Sequence, residues 1–460
     1  MRKIFPTAVI TAALLISNPA LAGTEVESVK QQLDSLKADY EQRIAALEAR
    51  LLKTEEKTRK DNIKINQIAA RPAQKSSVTQ NQFNPAVSLI LNGSYASYSN
   101  DPDDYELPGF ALGGESGLGV RGLSVGESEL AVSANIDDKF YGKATIGLHN
   151  DGGGTEVDLE EAYIQTLGLG GGFTLKAGRF FSAMGYINEQ HVHAWDFADA
   201  PLIYRGLFGD QLRDDGVQVT YIAPTDIFLQ LGAELFSGSN FPAGGSQNDI
   251  GAATVFANIG GDIGVSHSWQ LGLSHWQAND IEGRTSGGHS HGGSSSEEET
   301  PSFDGDSKIN ALDFVYKWAP NGNSQGQQVK FQFEYFDRKE DGSISMLNSG
   351  PPIENSSYDG HQKGWYAQAI YQIKPQWRTG LRYDHLDSHN RGSDTDVLGE
   401  AGLDNEGHTP KRASAMIEWL PSEFSRVRLQ YNRDQSYEKS DNQMILQYTM
   451  SLGSHGAHQY

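Results

Sequence analysis

Two segments carry the residue types that could bind a metal ion, and the first is the polar run 287–300, GGHSHGGSSSEEET. Its imidazoles and carboxylates belong to His289, His291, Glu297, Glu298 and Glu299. Imidazole nitrogens combined with carboxylate oxygens suit Zn²⁺, and Ni²⁺ or Cu²⁺ would bind comparably or more tightly. This run therefore predicts a weak metal collector. The alternative is a polar loop tip with incidental histidines.

The second segment is the stretch 182–213, which contains His191 and His193 two residues apart and Asp196 shortly after them. An imidazole pair combined with carboxylates favours divalent cations over anions. His191, His193 and Asp196 are therefore predicted as a second group of metal ligands. They could equally pack this stretch against a wall, together with its apolar residues Trp195, Phe197, Leu202, Ile203 and Tyr204.

Covalent catalysis has no support in the sequence. There is no HExxH motif, no nucleophile elbow and no glycine-rich phosphate loop before a helix. The serine at residue 116 follows two glycines and a glutamate, but it lacks the spacing of a hydrolase motif. The chain also has no cysteine, which excludes disulfides and thiolate ligands. We predict that it is not an enzyme and needs no cofactor, with Zn²⁺ as cargo or loop ligand.

The composition narrows the class of partner. The chain has 37 Lys and Arg against 59 Asp and Glu, a formal net charge of −22. Such an acidic surface repels nucleic acid and attracts cations. The mean hydropathy is −0.51, and no run after the leader approaches the roughly 18 apolar residues of a spanning helix. A membrane protein with this composition has to be a β-barrel.

The N-terminal part differs from the rest of the chain. Residues 1–22 resemble a secretory signal, with a basic start, an apolar centre and an Ala-Leu-Ala end. Residues 23–70 place apolar side chains at spacings of three and four, with one stutter, which predicts a helical coiled coil. A coiled coil indicates an oligomer, and a lone solvated helix is the alternative. Residues 71–85 form a polar linker, and a barrel domain is predicted over 86–460.

From residue 86 the period of the sequence changes to two, as expected of β-strands. The hairpin at 364–387 is the clearest example, because its apolar residues alternate with polar ones and aromatic residues flank both ends. Sixteen segments of this kind predict an all-β transmembrane barrel of about 16 antiparallel strands: 86–99, 121–135, 139–149, 157–168, 173–181, 214–223, 226–237, 251–260, 267–277, 307–318, 328–338, 362–373, 376–386, 409–420, 424–435 and 443–453.

The connections between these segments alternate in length. Odd-to-even connections are mostly long, such as 100–120 and 182–213, whereas even-to-odd connections are mostly short, such as 136–138 and 374–375. Outer-membrane barrels have short periplasmic turns and long outer loops. Alternation along the strands then predicts a set of charged residues that face the lumen: Glu234, Asp313, Lys317, Glu334, Arg378, Arg382, Glu418 and Arg428.

Two stretches resemble a known group of proteins. Residues 177–205, AGRFFSAMGYINEQHVHAWDFADAPLIYR, and the ending 451–460, SLGSHGAHQY, are similar to zinc-responsive outer-membrane barrel proteins, which are often labelled TonB-dependent receptors. The order of signal, coiled coil and barrel resembles the trimeric, phosphate-selective type of porin. The resemblance implies a homotrimer joined through the coiled coil. It also implies a third long loop that folds inward and narrows the pore.

The sequence departs from both the phosphate-selective porins and the TonB-dependent receptors. Phosphate selectivity needs a column of arginine and lysine along the lumen, and the large acidic excess does not suggest one. A TonB-dependent receptor needs about 22 strands around a plug, and the segment before this barrel leaves no room for a globular plug. We therefore expect neither phosphate specificity nor energised uptake.

The function expected from the sequence is a porin-like channel in the outer membrane of a Gram-negative bacterium, with its barrel in lipid and its coiled coil in the periplasm. It would give passive passage to small hydrophilic solutes, with divalent cations such as zinc as the leading cargo. The alternatives are a TonB-dependent-type metal receptor and a structural tether of the outer membrane.

Overall fold

The computed structural model describes residues 85–113, 116–150, 155–244, 250–285, 300–347, 353–437 and 439–453. The predicted signal peptide, the coiled coil and all but the last residue of the linker lie outside the described residues. The same holds for His289, His291 and Glu297 to Glu299 of the predicted collector. These predictions therefore remain predictions.

The described residues form seventeen strands, two short helices and three single turns of 3₁₀ helix. The strands are β1 Ala86–Tyr98, β2 Gly122–Ser124, β3 Ser128–Asn135, β4 Phe140–Asn150, β5 Thr155–Thr166, β6 Phe173–Phe181, β7 Arg213–Ile222, β8 Phe228–Phe236, β9 Ala252–Ile263, β10 His267–Thr285, β11 Thr300–Trp318, β12 Gln328–Leu347, β13 Asn355–Lys374, β14 Trp377–Gly392, β15 Lys411–Ser422, β16 Ser425–Gln435 and β17 Asp441–Gly453. The helices are α1 Leu202–Phe208 and α2 Thr395–Glu400, and the 3₁₀ turns are Pro102–Asp104, Val192–Ala194 and Pro320–Gly322.

The strands close into a barrel. From β3 to β17 each strand pairs antiparallel with the next, and β17 pairs with β1. Both β2 and β3 pair with β1, so they are two pieces of one interrupted strand. Counted in this way, the described residues form sixteen barrel strands, and each of the sixteen predicted segments overlaps one of them. Among the described residues every one of these strands has a paired neighbour on both sides, which confirms the predicted barrel.

Alternation along the strands separates the two faces of the wall. On β14, Leu381 points outward and is 67% exposed, whereas Arg378, Arg382 and Asp384 point inward and are buried. Tyr366 interrupts the polar set on β13 and is also buried inside the barrel. Of the charged residues predicted to face the lumen, seven are buried: Glu234, Asp313, Glu334, Arg378, Arg382, Glu418 and Arg428. Lys317, the eighth, lines an interior cavity.

Strands β10 to β14 are longer than predicted. The prediction ended β12 at residue 338, but its hydrogen-bonded ladder continues to Leu347. In this extension the inward residues Ile344 and Met346 remain buried, while the outward residues Lys339, Asp341 and Ser343 are polar. The apolar outward face ends before the strand does. The sequence pattern therefore detected the apolar part of the strand and missed its polar continuation.

An apolar core lies inside the barrel near the ends of the strands that carry the long connections. Loops from four connections contribute to it: Phe110 from 99–121, Leu202 and Tyr204 from 182–212, Ala243 from 237–251, and Leu403 from 393–410. They pack with wall residues Phe336, Tyr366, Leu386 and Ile344. All seven residues of α1 are buried in this core. Among the described residues, no helix is long and apolar enough to cross a membrane.

Candidate metal centre

The connection between β6 and β7, residues 182–212, lies inside the barrel and is named here the inner loop. Its start is held by the Glu234 carboxylate of β8, which accepts hydrogen bonds from the Ser182 hydroxyl at 2.5 Å and the Ala183 amide at 2.9 Å. The Glu334 carboxylate of β12 accepts from the Tyr204 hydroxyl at 2.7 Å. The inward fold of this loop, implied by the family resemblance, is confirmed.

The middle of the inner loop is fixed by Asp199. Its carboxylate accepts hydrogen bonds from Arg382 of β14 at 2.5 Å and from Arg412 of β15 at 3.0 Å. Two amides of β16 donate to the same carboxylate, Gln430 at 2.7 Å and Asn432 at 2.9 Å. Burial alone would raise the pKa of Asp199, but the two guanidinium groups outweigh burial and hold the pKa well below its usual range. Asp199 therefore anchors the inner loop to the barrel wall as a charged carboxylate.

Asp196, which the sequence predicted as a metal ligand, lies on the same side of the barrel interior as Asp199. Its carboxylate is 2.9 Å from the ammonium of Lys330 and 3.4 Å from the guanidinium of Arg378. Burial would raise the pKa of Asp196, but these two cations lower it well below its usual range. The carboxylate is already neutralised by the wall. The structure therefore does not bring Asp196 into the group of carboxylates around His191.

The interior also contains the arginine column that the acidic composition had led us not to expect. Its members are Arg378, Arg382, Arg412, Arg426 and Arg428, which lie on β14, β15 and β16 and are all buried. Their charges face acceptors rather than open solvent. Arg428, for example, donates to the backbone carbonyl of Trp195 at 2.6 Å and lies 2.8 Å from Glu418. The column anchors the inner loop.

The two histidines face the opposite wall, formed by β3, β4 and β5. Nδ1 of His191 is 3.1 Å from a carboxylate oxygen of Glu129 and 3.1 Å from one of Glu160. Nε2 of the same ring is 2.7 Å from Glu161. Nδ1 of His193 is 2.5 Å from the other oxygen of Glu129. The ammonium of Lys143 is 2.6 Å from Glu161.

A β-bulge in β5 explains why two successive glutamates reach one place. In the pairing of β4 with β5, Thr145 is opposite Glu161 and Ile146 is opposite Leu159, so Glu160 is the extra residue. Successive side chains of a regular strand point to opposite faces, but a bulge allows both to point the same way. Glu160 is 1% exposed and Glu161 6% exposed, whereas Leu159 is 40% exposed. The bulge thus places two carboxylates in the lumen.

These surroundings act differently on the two imidazoles. Burial alone would lower the pKa of His191, but the carboxylates of Glu129, Glu160 and Glu161 outweigh burial and raise it well above its ordinary value. The pKa of His193 is lowered, because burial outweighs its attraction to Glu129. The carboxylates therefore favour the protonated form of His191, whose Nε2 is also 3.0 Å from the ammonium of Lys143.

Two trios of side chains on this wall have the donors of a metal site. In one trio, ligand atoms of Glu129, Glu160 and His191 lie within 4.8 Å of one another. In the other, ligand atoms of Glu127, His149 and Glu160 meet the same limit. Glu160 belongs to both trios. The sequence analysis identified His191 but missed all of its carboxylate partners, and the adjacent pair Glu160-Glu161 inside an alternating strand was the available signal.

The trio that contains His191 borders the main interior cavity. This cavity has a volume of about 990 Å³, and its lining includes Glu129, Lys143, His191 and His193. It extends toward the short-turn ends of the strands, where Lys317 and Glu423 line it. A solute in this cavity therefore has Glu129, His191 and His193 on its wall.

Comparison with known proteins gives one relative by sequence. The chain is 31% identical to an uncharacterized protein of Aquifex aeolicus (strain VF5), and the match covers 84% of this chain and 82% of that protein. No protein-family model matches the chain.

Solved structures resemble the chain at low sequence identity. A loop-deletion mutant of OmpT, an outer membrane protein of Vibrio cholerae, is 10% identical with a TM-score of 0.48, over 80% of this chain and 99% of that one. The outer membrane channel DcaP of Acinetobacter baumannii is 14% identical with a TM-score of 0.47, over 80% and 97% of the two chains. Because these TM-scores are below 0.5, the barrel is assigned from its own strand pairing.

Proposed function

The chain belongs to the same family as the Aquifex aeolicus protein, and we propose that it is an outer-membrane channel through which small hydrophilic solutes, above all divalent cations such as zinc, diffuse passively. The observation that carries this proposal is a closed barrel with an apolar exterior, whose interior cavity of about 990 Å³ is lined by charged groups. An interior of this kind suits water and ions, whereas the exterior suits lipid.

The outer face of the barrel supports a location in a membrane. Large apolar and aromatic side chains point outward along the strands, among them Leu381, Tyr383, Trp419, Leu429 and Tyr448. In water such a surface would be a severe aggregation hazard, but in a bilayer it is the expected one. The short connections then lie on the periplasmic side and the long ones outside the cell. The predicted coiled coil, residues 23–70, would occupy the periplasm.

The charge distribution around the inner loop supports a preference for cations. On the β14 to β16 side, Arg382 and Arg412 are engaged by Asp199. On the β3 to β5 side, Glu129 lines the cavity, and the closest partner of both Glu129 and Glu160 is a histidine. A cation that passes along this second wall finds carboxylate oxygens, while an anion finds arginines that are already occupied. The proposal therefore excludes a phosphate-selective pore.

The inner loop is a connection between two barrel strands and not a separate plug. The proposal therefore favours passive diffusion over energised uptake. A TonB-dependent-type receptor remains the second candidate, and the apolar core inside the barrel favours it. Tyr204, Phe208 and Phe336 pack tightly there and leave less room for water. We further propose that the protein is a homotrimer joined through the coiled coil, as the resemblance to trimeric porins implies.

Recording of single channels in planar lipid bilayers tests the proposal. The full chain should give discrete conductance steps, and a salt gradient should shift the reversal potential toward the cation value. Silence in this assay would count against a channel and would favour the receptor or the tether. A second measurement separates the receptor from the tether. Host cells that depend on a receptor should stop growing under zinc limitation when the energising inner-membrane machinery is deleted, whereas a tether should make no difference.

A further inference from the structure

The two trios on the β3 to β5 wall are arranged around Glu160. One carboxylate oxygen of Glu160 is 3.1 Å from Nδ1 of His191. The other oxygen, Oε1, points toward His149, whose Nε2 is 4.0 Å away. This Oε1 atom is buried and has no hydrogen-bond partner among the described residues. A buried carboxylate oxygen without a partner is energetically costly. It therefore needs a cation or a water molecule.

The partners of His191 follow the pattern found around metal ligands. A metal-bound histidine usually donates the N–H of its other ring nitrogen to a carboxylate, which fixes the orientation of the ring. Here Nδ1 faces Glu129 and Glu160, each at 3.1 Å, while Nε2 is 2.7 Å from Glu161. Glu161 therefore has the position of an orienting carboxylate, and the Lys143 ammonium lies beside this pair, 3.0 Å from the same Nε2 and 2.6 Å from Glu161. His193 plays the same part for Glu129, since its Nδ1 is 2.5 Å from the second oxygen of that residue.

A glycine leaves room between the two trios. Gly147 of β4 is paired with Glu129 of β3, and its missing side chain would point into the lumen. A Cβ atom built there would lie 2.3 Å from Oε1 of Glu160 and 2.6 Å from Nε2 of His149. Any larger residue would occupy the space between these two ligand atoms. The wall thus keeps an open gap where its donors converge.

The charges at this place are unbalanced. Four carboxylates, Glu127, Glu129, Glu160 and Glu161, stand near three imidazoles and the single ammonium of Lys143. With the imidazoles neutral, as metal binding requires, the cluster has a charge of −4 + 1 = −3. A divalent cation would offset most of this charge. An internal network of ion pairs would instead require every imidazole to be protonated.

We propose that Glu129, Glu160 and His191 bind a divalent transition-metal ion of the zinc class, and that Glu127, His149 and Glu160 form a second binding position that shares Glu160. Carboxylate oxygens with an imidazole nitrogen are zinc-type donors. Ligands about 2.1 Å from a tetrahedral ion are roughly 3.4 Å apart, so the observed separations of up to 4.8 Å close by small side-chain rotations. Three protein ligands leave a coordination position for water, as in open sites.

The shared residue gives the two positions a joint role. An ion held by one trio can pass to the other through Glu160, without full hydration in between. The inference deepens the proposed function, since it assigns a cargo and a wall to the channel, and it rests on that function only for this transfer step. Binding itself does not depend on conduction.

The test is isothermal titration calorimetry of the full-length protein in detergent with Zn²⁺ alone as the titrant. To remove the histidines of the predicted collector and of the ending 451–460, the background variant carries His289→Ala, His291→Ala, His455→Ala and His458→Ala. This background should still bind Zn²⁺. Adding Glu160→Gln should weaken binding at least tenfold, because both trios lose a charged ligand. The matched control is Glu423→Gln, which removes a carboxylate from the same cavity away from the trios and should leave the affinity unchanged.

A second variant guards against a loss of fold in Glu160→Gln. Gly147→Ala changes no charge and should weaken binding by filling the gap beside His149 and Glu160. Unchanged Zn²⁺ affinity in both variants would overturn the proposal. Channels that conduct but bind no Zn²⁺ in the background variant would overturn it as well, while leaving the proposed function intact. Binding without conductance would instead retain the site and reject the channel.

Discussion

At the scale of residues, the interior is organised by which charge meets which. Asp196 and Asp199 of the inner loop face cations of the wall, whereas His191 and His193 of the same loop face glutamates. Histidine and aspartate thus turn to opposite walls although they are only a few residues apart. The loop therefore joins a basic wall to an acidic one, and each side chain is satisfied by the wall of opposite charge.

Asp199→Asn should release the middle of the inner loop. The change leaves Arg382 and Arg412 beside an uncharged amide, with Asp384 at 3.2 Å and 3.5 Å as the carboxylate that both retain. The loss should therefore cost less than the about 3–5 kcal/mol of removing the sole partner of a buried ion pair. We expect a higher and noisier single-channel conductance, together with cleavage within residues 182–212 by added protease. Asp226→Asn, in the exposed turn between β7 and β8, is the matched control and should behave like the wild type. Wild-type conductance and protease resistance in the Asp199 variant would argue against an anchoring role of Asp199.

At the scale of elements, one irregularity in a strand and one long connection create the candidate site. The bulge at Glu160 puts two carboxylates on the inner face of β5, and the inner loop brings His191 to them. Regular strands alone would have sent one of the two glutamates into lipid. The same strands elsewhere follow strict alternation, which separates a lipid-facing set from a lumen-facing set.

The outward set of β14 provides a direct test of the membrane location. Leu381 is 67% exposed and lies on the fifth residue of the strand, between its polar ends. Leu381→Arg should destabilise the barrel in lipid vesicles by about 2–4 kcal/mol, the cost of a cation near the middle of the bilayer. The measurement is the free energy of unfolding in urea with phospholipid vesicles. The control is Leu381→Ala, and an arginine no more costly than alanine there would show that this face does not meet lipid.

At the scale of the whole molecule, the described residues close on themselves without help from other segments. β1 pairs with β17, so the first and last strands seal the barrel. The barrel should therefore fold without the N-terminal segment. Assembly is a separate question, because the predicted coiled coil contains the apolar seam that would join the copies.

Deletion of residues 23–70 separates folding from assembly. We expect the shortened protein to fold and conduct, because every strand pairing of the barrel remains, but to lose or weaken the proposed trimer. Native mass spectrometry in detergent measures the number of copies, and circular dichroism confirms the β-structure. A matched variant that lacks only residues 71–81 should keep the trimer, since the coiled coil remains. If the shortened protein stays trimeric, the contacts between copies belong to the barrel.

The sequence by itself determined the number of barrel strands, their order, and which residues lie on the outward and inward faces of the barrel wall. These properties depend on side-chain alternation and on the lengths of connections, which are local features. The segment 376–386, for example, was predicted from alternation alone, and β14 begins at Trp377. The inward direction of Arg378 and Arg382 followed from the same period.

Only the tertiary structure decided which residues meet inside the barrel. His191 is in contact with Glu129 and Glu161, which lie 62 and 30 residues away along the chain. Such contacts depend on strand register, on the bulge at Glu160 and on the path of the inner loop. These are set by the sum of many long-range pairings, and no local pattern encodes them. For this reason the sequence identified the histidines as ligands but assigned them Asp196, a carboxylate that the opposite wall already holds.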